Sequence, residues 1–281
     1  MKFRHLAVLS LLATGIAGSV SGQPNDPKPG GRGKHPAPGI LVVPDGWGQA
    51  APPTVKRVLE STAIEIWQHF PDRKLSPIIV SAKGGPIVLY DKSPSGEYIV
   101  RLNTGDLYWS QYAYQFAHEF CHILCNYDQD KSGNKWFEES VCEMASLFAL
   151  RRMGETWKTA PPFGHWKGYA KHLTAYAEDR MSKARLPQDR TLAIWYERHA
   201  VELNGTAVNR ELNNVVAMAL LTLFEAEPQH WPAVGFLNHG TPEKPQTFAE
   251  YLTDWRGHCP QRHRKFVNRI ATEFGVELDE S

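Results

Sequence analysis

Residues 118 to 122 read HEFCH, and this pentapeptide constrains the fold more than any other part of the chain. Two histidines four positions apart act together only on an α-helix, where each residue advances about 100° and positions i and i+4 lie roughly 40° apart on one face. From there both imidazoles reach a single ion at about 2.0–2.1 Å. Glu119 lies about 100° round from His118, displaced from the ligand pair but close enough to hold a water beside it, while Phe120 faces the other way and serves the core. The spacing therefore predicts a metal-binding helix on which the ion polarises a water and Glu119 takes its proton. The competing reading is two helical histidines satisfied by hydrogen bonds in a core.

A second amphipathic helix follows at once. NKWFEESVCEMASLFAL, residues 134 to 150, carries Trp136, Phe137, Val141, Met144, Leu147 and Phe148 as apolar anchors and three acids, Glu138, Glu139 and Glu143, in its first turns. HEFCH followed by WFEESVCE resembles the gluzincin metallopeptidases, in which H-E-x-x-H is followed on the next helix by W-x-x-E-G or N-E-x-x with a glutamate ligand. Setting Trp136 on the family's tryptophan implies Glu139 as the third ligand of a Zn²⁺ ion held with His118 and His122. It places Glu143 where the family often has an acid that accepts a hydrogen bond from a liganding histidine. Helical geometry points the same way, because Glu139 and Glu143 share a face and one can meet the ion while the other orients an imidazole. Glu138 as ligand would put Cys142 in the supporting role, and Glu143 as ligand leaves the acid before it without a task. Glu138 otherwise reads as a solvated charge near the helix start, favourable to the dipole.

The resemblance spans residues 97 to 150, and the chain departs from the family in three respects. His122 and Glu139 are 17 positions apart, closer than in the aminopeptidase and thermolysin-like branches. Ser140 replaces a common glycine, and Cys121, Cys125 and Cys142 flank the site. The resemblance also implies that the last strand before the metal helix, EYIVRL, forms the sheet edge along which an extended peptide is accepted. An oxyanion donor is expected from the helical half, where Tyr196, His199, His165, Tyr169, His172, Tyr176, Arg210 and Asn214 are all available and nothing in the sequence separates them.

The remaining chain is read from its punctuation. Residues 1 to 22 have a basic start, an apolar run from Leu6 to about Val20 and small residues at the end, the pattern of a cleaved secretory signal peptide. Residues 23 to 38 are rich in Pro and Gly and read as a linker. ILVV at 40 to 43 reads as a strand, residues from Val55 to Phe70 as a helix behind Pro52 and Pro53, and 77 to 82, 86 to 90 and 97 to 102 as strands of a small, partly antiparallel sheet. Only helical patterns follow, at about 109–126, 135–152, 168–184, 190–203, 209–226, 246–255 and 261–274. The expected class is α+β: a zincin-like mixed α/β subdomain over residues 39–128 with the small sheet and the metal-binding helix, then an all-helical subdomain over 129–281.

Charge and cysteines bound the setting. Loss of the first 22 residues, with Lys2 and Arg4, takes the formal charge from +1 to −1, which gives no reason to expect nucleic acid or an anionic membrane as partner. No later segment is apolar enough for stable membrane insertion. Export, to the periplasm or the medium, permits disulfides. Cys121 and Cys125 suit each other poorly on one helix, so each is expected to pair elsewhere, in either of two arrangements with Cys142 and Cys259, or else all four remain buried thiols. The sum is an exported zinc metallopeptidase acting on a peptide or protein. Two alternatives stand beside it: a secreted non-catalytic binding or structural module that keeps the fold, and a zinc hydrolase of non-peptide substrates.

Overall fold

In the computed structural model the described residues are 37–128, 131–184, 186, 190–240, 242 and 244–278. The proposed signal peptide and most of the linker fall outside them, although Pro38, the last linker residue, is already buried.

A helix follows the first strand because Pro52 and Pro53 sit at its first positions, where the missing N–H groups cost nothing. Strand β1 (Ile40–Val42) thus leads through α1 (Pro52–Trp67) to β2 (Ile78–Ala82). A short β3 (Ile87–Val88) and β4 (Tyr98–Leu102) complete a four-stranded sheet in the order β1-β2-β4-β3. β1 pairs with β2 and β2 with β4 in parallel, and only β3 runs antiparallel, against β4. The period of two is visible in burial: Ile78, Val80, Val100 and Leu102 are fully buried against α1 and α2, while Arg101 on the other face is exposed.

β4 is therefore an interior strand, which corrects the expectation that EYIVRL is the edge. The edge is β3. It is brought back onto β4 by a turn in which Gly85 approaches the Arg101 carbonyl so closely that a Cβ would stand 2.0 Å from the oxygen. No side chain fits there.

After β4 the chain is helical: α2 (Trp109–Leu124), α3 (Lys135–Thr156), a 3₁₀ segment (Gly164–Tyr169), α4 (Ala170–Ser182), α5 (Leu192–Gly205), α6 (Arg210–Ala226), a second 3₁₀ segment (Pro228–Phe236), α7 (Phe248–His258) and α8 (Gln261–Glu273). The mixed α+β class follows the hydrophobic pattern, and the two 3₁₀ segments are additions to it. Among the described residues no helix is long and apolar enough to cross a membrane.

α3 organises the whole. It packs against α1, α2, α4 and α6, and every residue from 136 to 150 is buried except Glu139. On α2, residues 115 to 125 are likewise buried except His118. Phe116 and Phe120 stack at 5.8 Å on the core side of α2, and Trp67 of α1 meets Phe120 edge-on. Each such ring contributes on the order of 2–3 kcal/mol on burial. Two helices buried nearly all round, each with one polar residue reaching an opening, fix where chemistry can occur.

Candidate metal centre

α2 ends at Cys125, because Asn126 takes a left-handed conformation (φ 53°) and its side chain accepts a hydrogen bond from Arg73. The chain then turns tightly into α3. Gly133 adopts φ +81°, and buried Asn134 donates to the carbonyls of Ser132 and Gln246. This short connection sets the start of α3 beside the last two turns of α2.

The three expected ligands converge. His118 Nε2 lies 3.3 Å from Glu139 Oε2, and His122 Nε2 lies 3.7 Å from Glu139 Oε1. The imidazole centroids are 5.0 Å apart. Donors bonded to one tetrahedral ion at about 2.0–2.1 Å stand about 3.4 Å from each other, and both nitrogen–oxygen separations lie near that value, so the three residues are spaced for a zinc-like ion. Side-chain exposures of 20% at His118 and 16% at Glu139 leave one side of the cluster open for a water or a substrate.

Behind the ligands stands a ring of carboxylates. Glu138 Oε1 accepts from His122 Nδ1 at 2.5 Å, which directs Nε2 at Glu139. Glu138 Oε2 in turn accepts from Lys135 Nζ at 2.7 Å and Asn238 Nδ2 at 2.8 Å. This overturns the reading of Glu138 as a solvated charge: it is fully buried. Burial would raise its pKa, but Lys135 and His122 outweigh burial and lower it. Glu143 meets His118 from the other side, with Oε2 3.7 Å from Nδ1, an ion-pair distance, and it accepts from the hydroxyl of Tyr114. Both histidines thus carry a carboxylate on the nitrogen turned away from Glu139, the arrangement that fixes an imidazole for metal binding.

The electrostatics favour a cation. Burial opposes charge at Glu139, yet His122, His118 and Lys135 hold its pKa down at about 2. Burial likewise opposes an imidazolium at His118, and Glu139 and Glu143 override it, raising that pKa well above the ordinary value. Four carboxylates face two imidazoles and one ammonium, an excess of negative charge in a largely buried pocket that a divalent ion would neutralise.

Glu119 sits apart from the ligands, 4% exposed. Burial raises its pKa, opposed by His118 and His122, and its carboxylate accepts a hydrogen bond from the Val88 backbone N–H. The register explains the availability of that N–H. Leu89 N–H bonds to Ile99 and Val88 pairs with Val100, so the alternation of an antiparallel ladder turns the Val88 N–H outward, toward α2. The Tyr127 hydroxyl donates to the Leu89 carbonyl, and Tyr127 stacks on Tyr90 at 5.6 Å, pinning the edge strand beside the site.

Sequence reasoning passed over Tyr114, Lys135 and the Val88 N–H, and it set Glu138 aside as a solvated charge. For Glu138 a signal existed, since α3 presents apolar residues on every side and leaves its acids no solvated face. Of the oxyanion candidates, Tyr196 packs among Trp136, Phe248 and Phe274, and His199 stacks on Trp195. Tyr176 is tied to the site: it meets Tyr114 edge-on and accepts from Arg180. A surface cavity of about 550 Å³ lined by Lys244, Gln246, Glu250, Asp254 and Glu277 holds none of the site residues.

His122, Glu138 and Cys142 also lie close together, but the 2.5 Å bond between the first two leaves no room for an ion between them. The four cysteines are free and buried, so neither expected disulfide arrangement is present. Comparison of the chain with family models, with curated proteins and with solved structures gives no match.

Proposed function

We propose that the chain is an exported zinc-dependent metallopeptidase with a gluzincin-like, zincin-type core. The observation that carries this reading is the convergence of His118, His122 and Glu139 on one point, with Glu119 beside them and held by an edge strand. Bound there, Zn²⁺ would supply Lewis acidity to a water and to a scissile carbonyl. The residues of the chain do the rest. Glu138 and Glu143 orient the two imidazoles, and Glu119, one residue after His118 and largely buried, is placed to take a proton from the attacking water. Glu119 then returns that proton to the departing amine. β3 is the sheet edge nearest the site, but its outward Val88 N–H is already held by Glu119, so the preference for a peptide or protein substrate rests on the resemblance of the HEFCH and WFEESVCE segments. Neither the charge nor the surface suggests nucleic acid.

The test is metal analysis and peptide hydrolysis by the purified chain and its Glu119→Gln variant. Both should hold one zinc, and the variant should lose about 10²- to 10⁴-fold in kcat. Hydrolysis that survives the substitution removes Glu119 from its role. Zinc-loaded protein inert toward a broad peptide library favours the non-catalytic module.

A further inference from the structure

Three residues beyond each ligand stands a cysteine: Cys121 after His118, Cys125 after His122, Cys142 after Glu139. The donor pattern of the first site, two side chains four apart on α2 and one on α3, is thus repeated in sulfur. The three Sγ atoms lie within 4.8 Å of one another, and Cys121 and Cys125 are 3.9 Å apart. All three residues are completely buried.

A disulfide explains this cluster poorly. Two cysteines four apart on a helix direct their Cβ atoms badly for an S–S bond, and any pair would strand the third thiol. Three thiolates about a soft ion use every sulfur. Donors at about 2.3 Å in a trigonal plane stand about 4.0 Å apart, close to the 3.9 Å between Cys121 and Cys125 and inside the 4.8 Å that bounds all three sulfurs. Zinc prefers four donors, and the neighbouring His122 and Glu138 are already bonded to each other. A three-sulfur set suits monovalent copper.

We propose that Cys121, Cys125 and Cys142 form a second metal site, buried and structural, for a soft thiophilic cation of the Cu(I) type. Each sulfur releases its proton to solvent as it bonds the ion, so no oxidant or reductant is consumed. The excess negative charge has a compensating cation at hand. Arg73 donates to the carbonyls of Ile123 and Leu124 and to Asn126 at the end of α2, and its charge acts on Cys125 and Cys121. The ion would tie α2 to α3 directly behind the first site and hold its ligands in register. This inference does not depend on the reading of that first site.

The experiment loads the reduced full chain with Cu(I) under anaerobic conditions. One Cu(I) per chain should survive a competing chelator, show a sulfur-only shell at about 2.3 Å by X-ray absorption, and raise Tm by about 5 °C or more. Cys142→Ser should cut retained copper at least tenfold. His118→Ala, which disables the first site, and Cys259→Ser, at a thiol near the Ala233 carbonyl, should leave it unchanged. A disulfide among the three cysteines in non-reducing mass spectrometry overturns the proposal. So does a wild-type chain whose three thiols all titrate after denaturation and which retains no copper.

Discussion

Glu138 answers to three partners at once, the His122 imidazole, the Lys135 ammonium and the Asn238 amide. A buried carboxylate so placed is stabilised only as a set, and removing its charge leaves the half-buried Lys135 ammonium without its counter-ion. Glu138→Gln is expected to weaken zinc affinity by about 10- to 100-fold, as loss of an orienting partner does, while Glu143→Gln acts on His118 alone and costs less because its contact is longer. Competition with a zinc chelator measures both. The meeting of His118, His122 and Glu139 was legible, since HEFCH and the acids after Trp136 can approach in few ways. Glu138 was not, because an acid in the first turn of a helix satisfies the dipole in water as well as in a core, and only the packing of four helices around α3 decides between them.

Among the elements, the edge strand β3 shows how little sequence a functional strand requires. Two residues suffice, because Gly85 lets the chain close onto Arg101 and Tyr127 secures the far end. Gly85→Ala forces the strand away from β4, at a cost of about 1–3 kcal/mol, and takes the Val88 N–H from Glu119. On the proposed reading, the fall in peptide hydrolysis should exceed what the unfolded fraction accounts for, measured by kcat against a thermal melt. The strands were readable from β-branched runs, but their order was not. β4 precedes the metal helix in sequence, and β3, which precedes β4, folds back outside it. Such a reversal depends on ladder pairing across a hairpin, which periodicity does not encode.

For the molecule as a whole, pH acts through histidines outside the candidate metal centre. Burial, with Arg152 beside it, lowers the pKa of His69 to about 4, and burial with Arg262 and His230 does the same for His263. Both values lie below the unfolded value of about 6.5. The unfolded chain therefore binds more protons between these limits, and stability falls as pH drops from about 6.5 to about 4, by on the order of 1–3 kcal/mol for each group. Denaturant midpoints across that range should show the slope, and His69→Gln should flatten it. The α+β class and the succession of helices were evident from the change of period after residue 105. Their common dependence on α3 was not, since it reflects contacts between distant segments. That dependence has a kinetic corollary. Because the stretch from 136 to 150 is walled in except at Glu139, its amide hydrogens can reach deuterium only when the entire molecule opens. If the proposed first site holds an ion, a chelator can draw it out through the gap at His118 and Glu139, so the stripped chain should retain slow exchange along α3 while any zinc-dependent hydrolysis is lost.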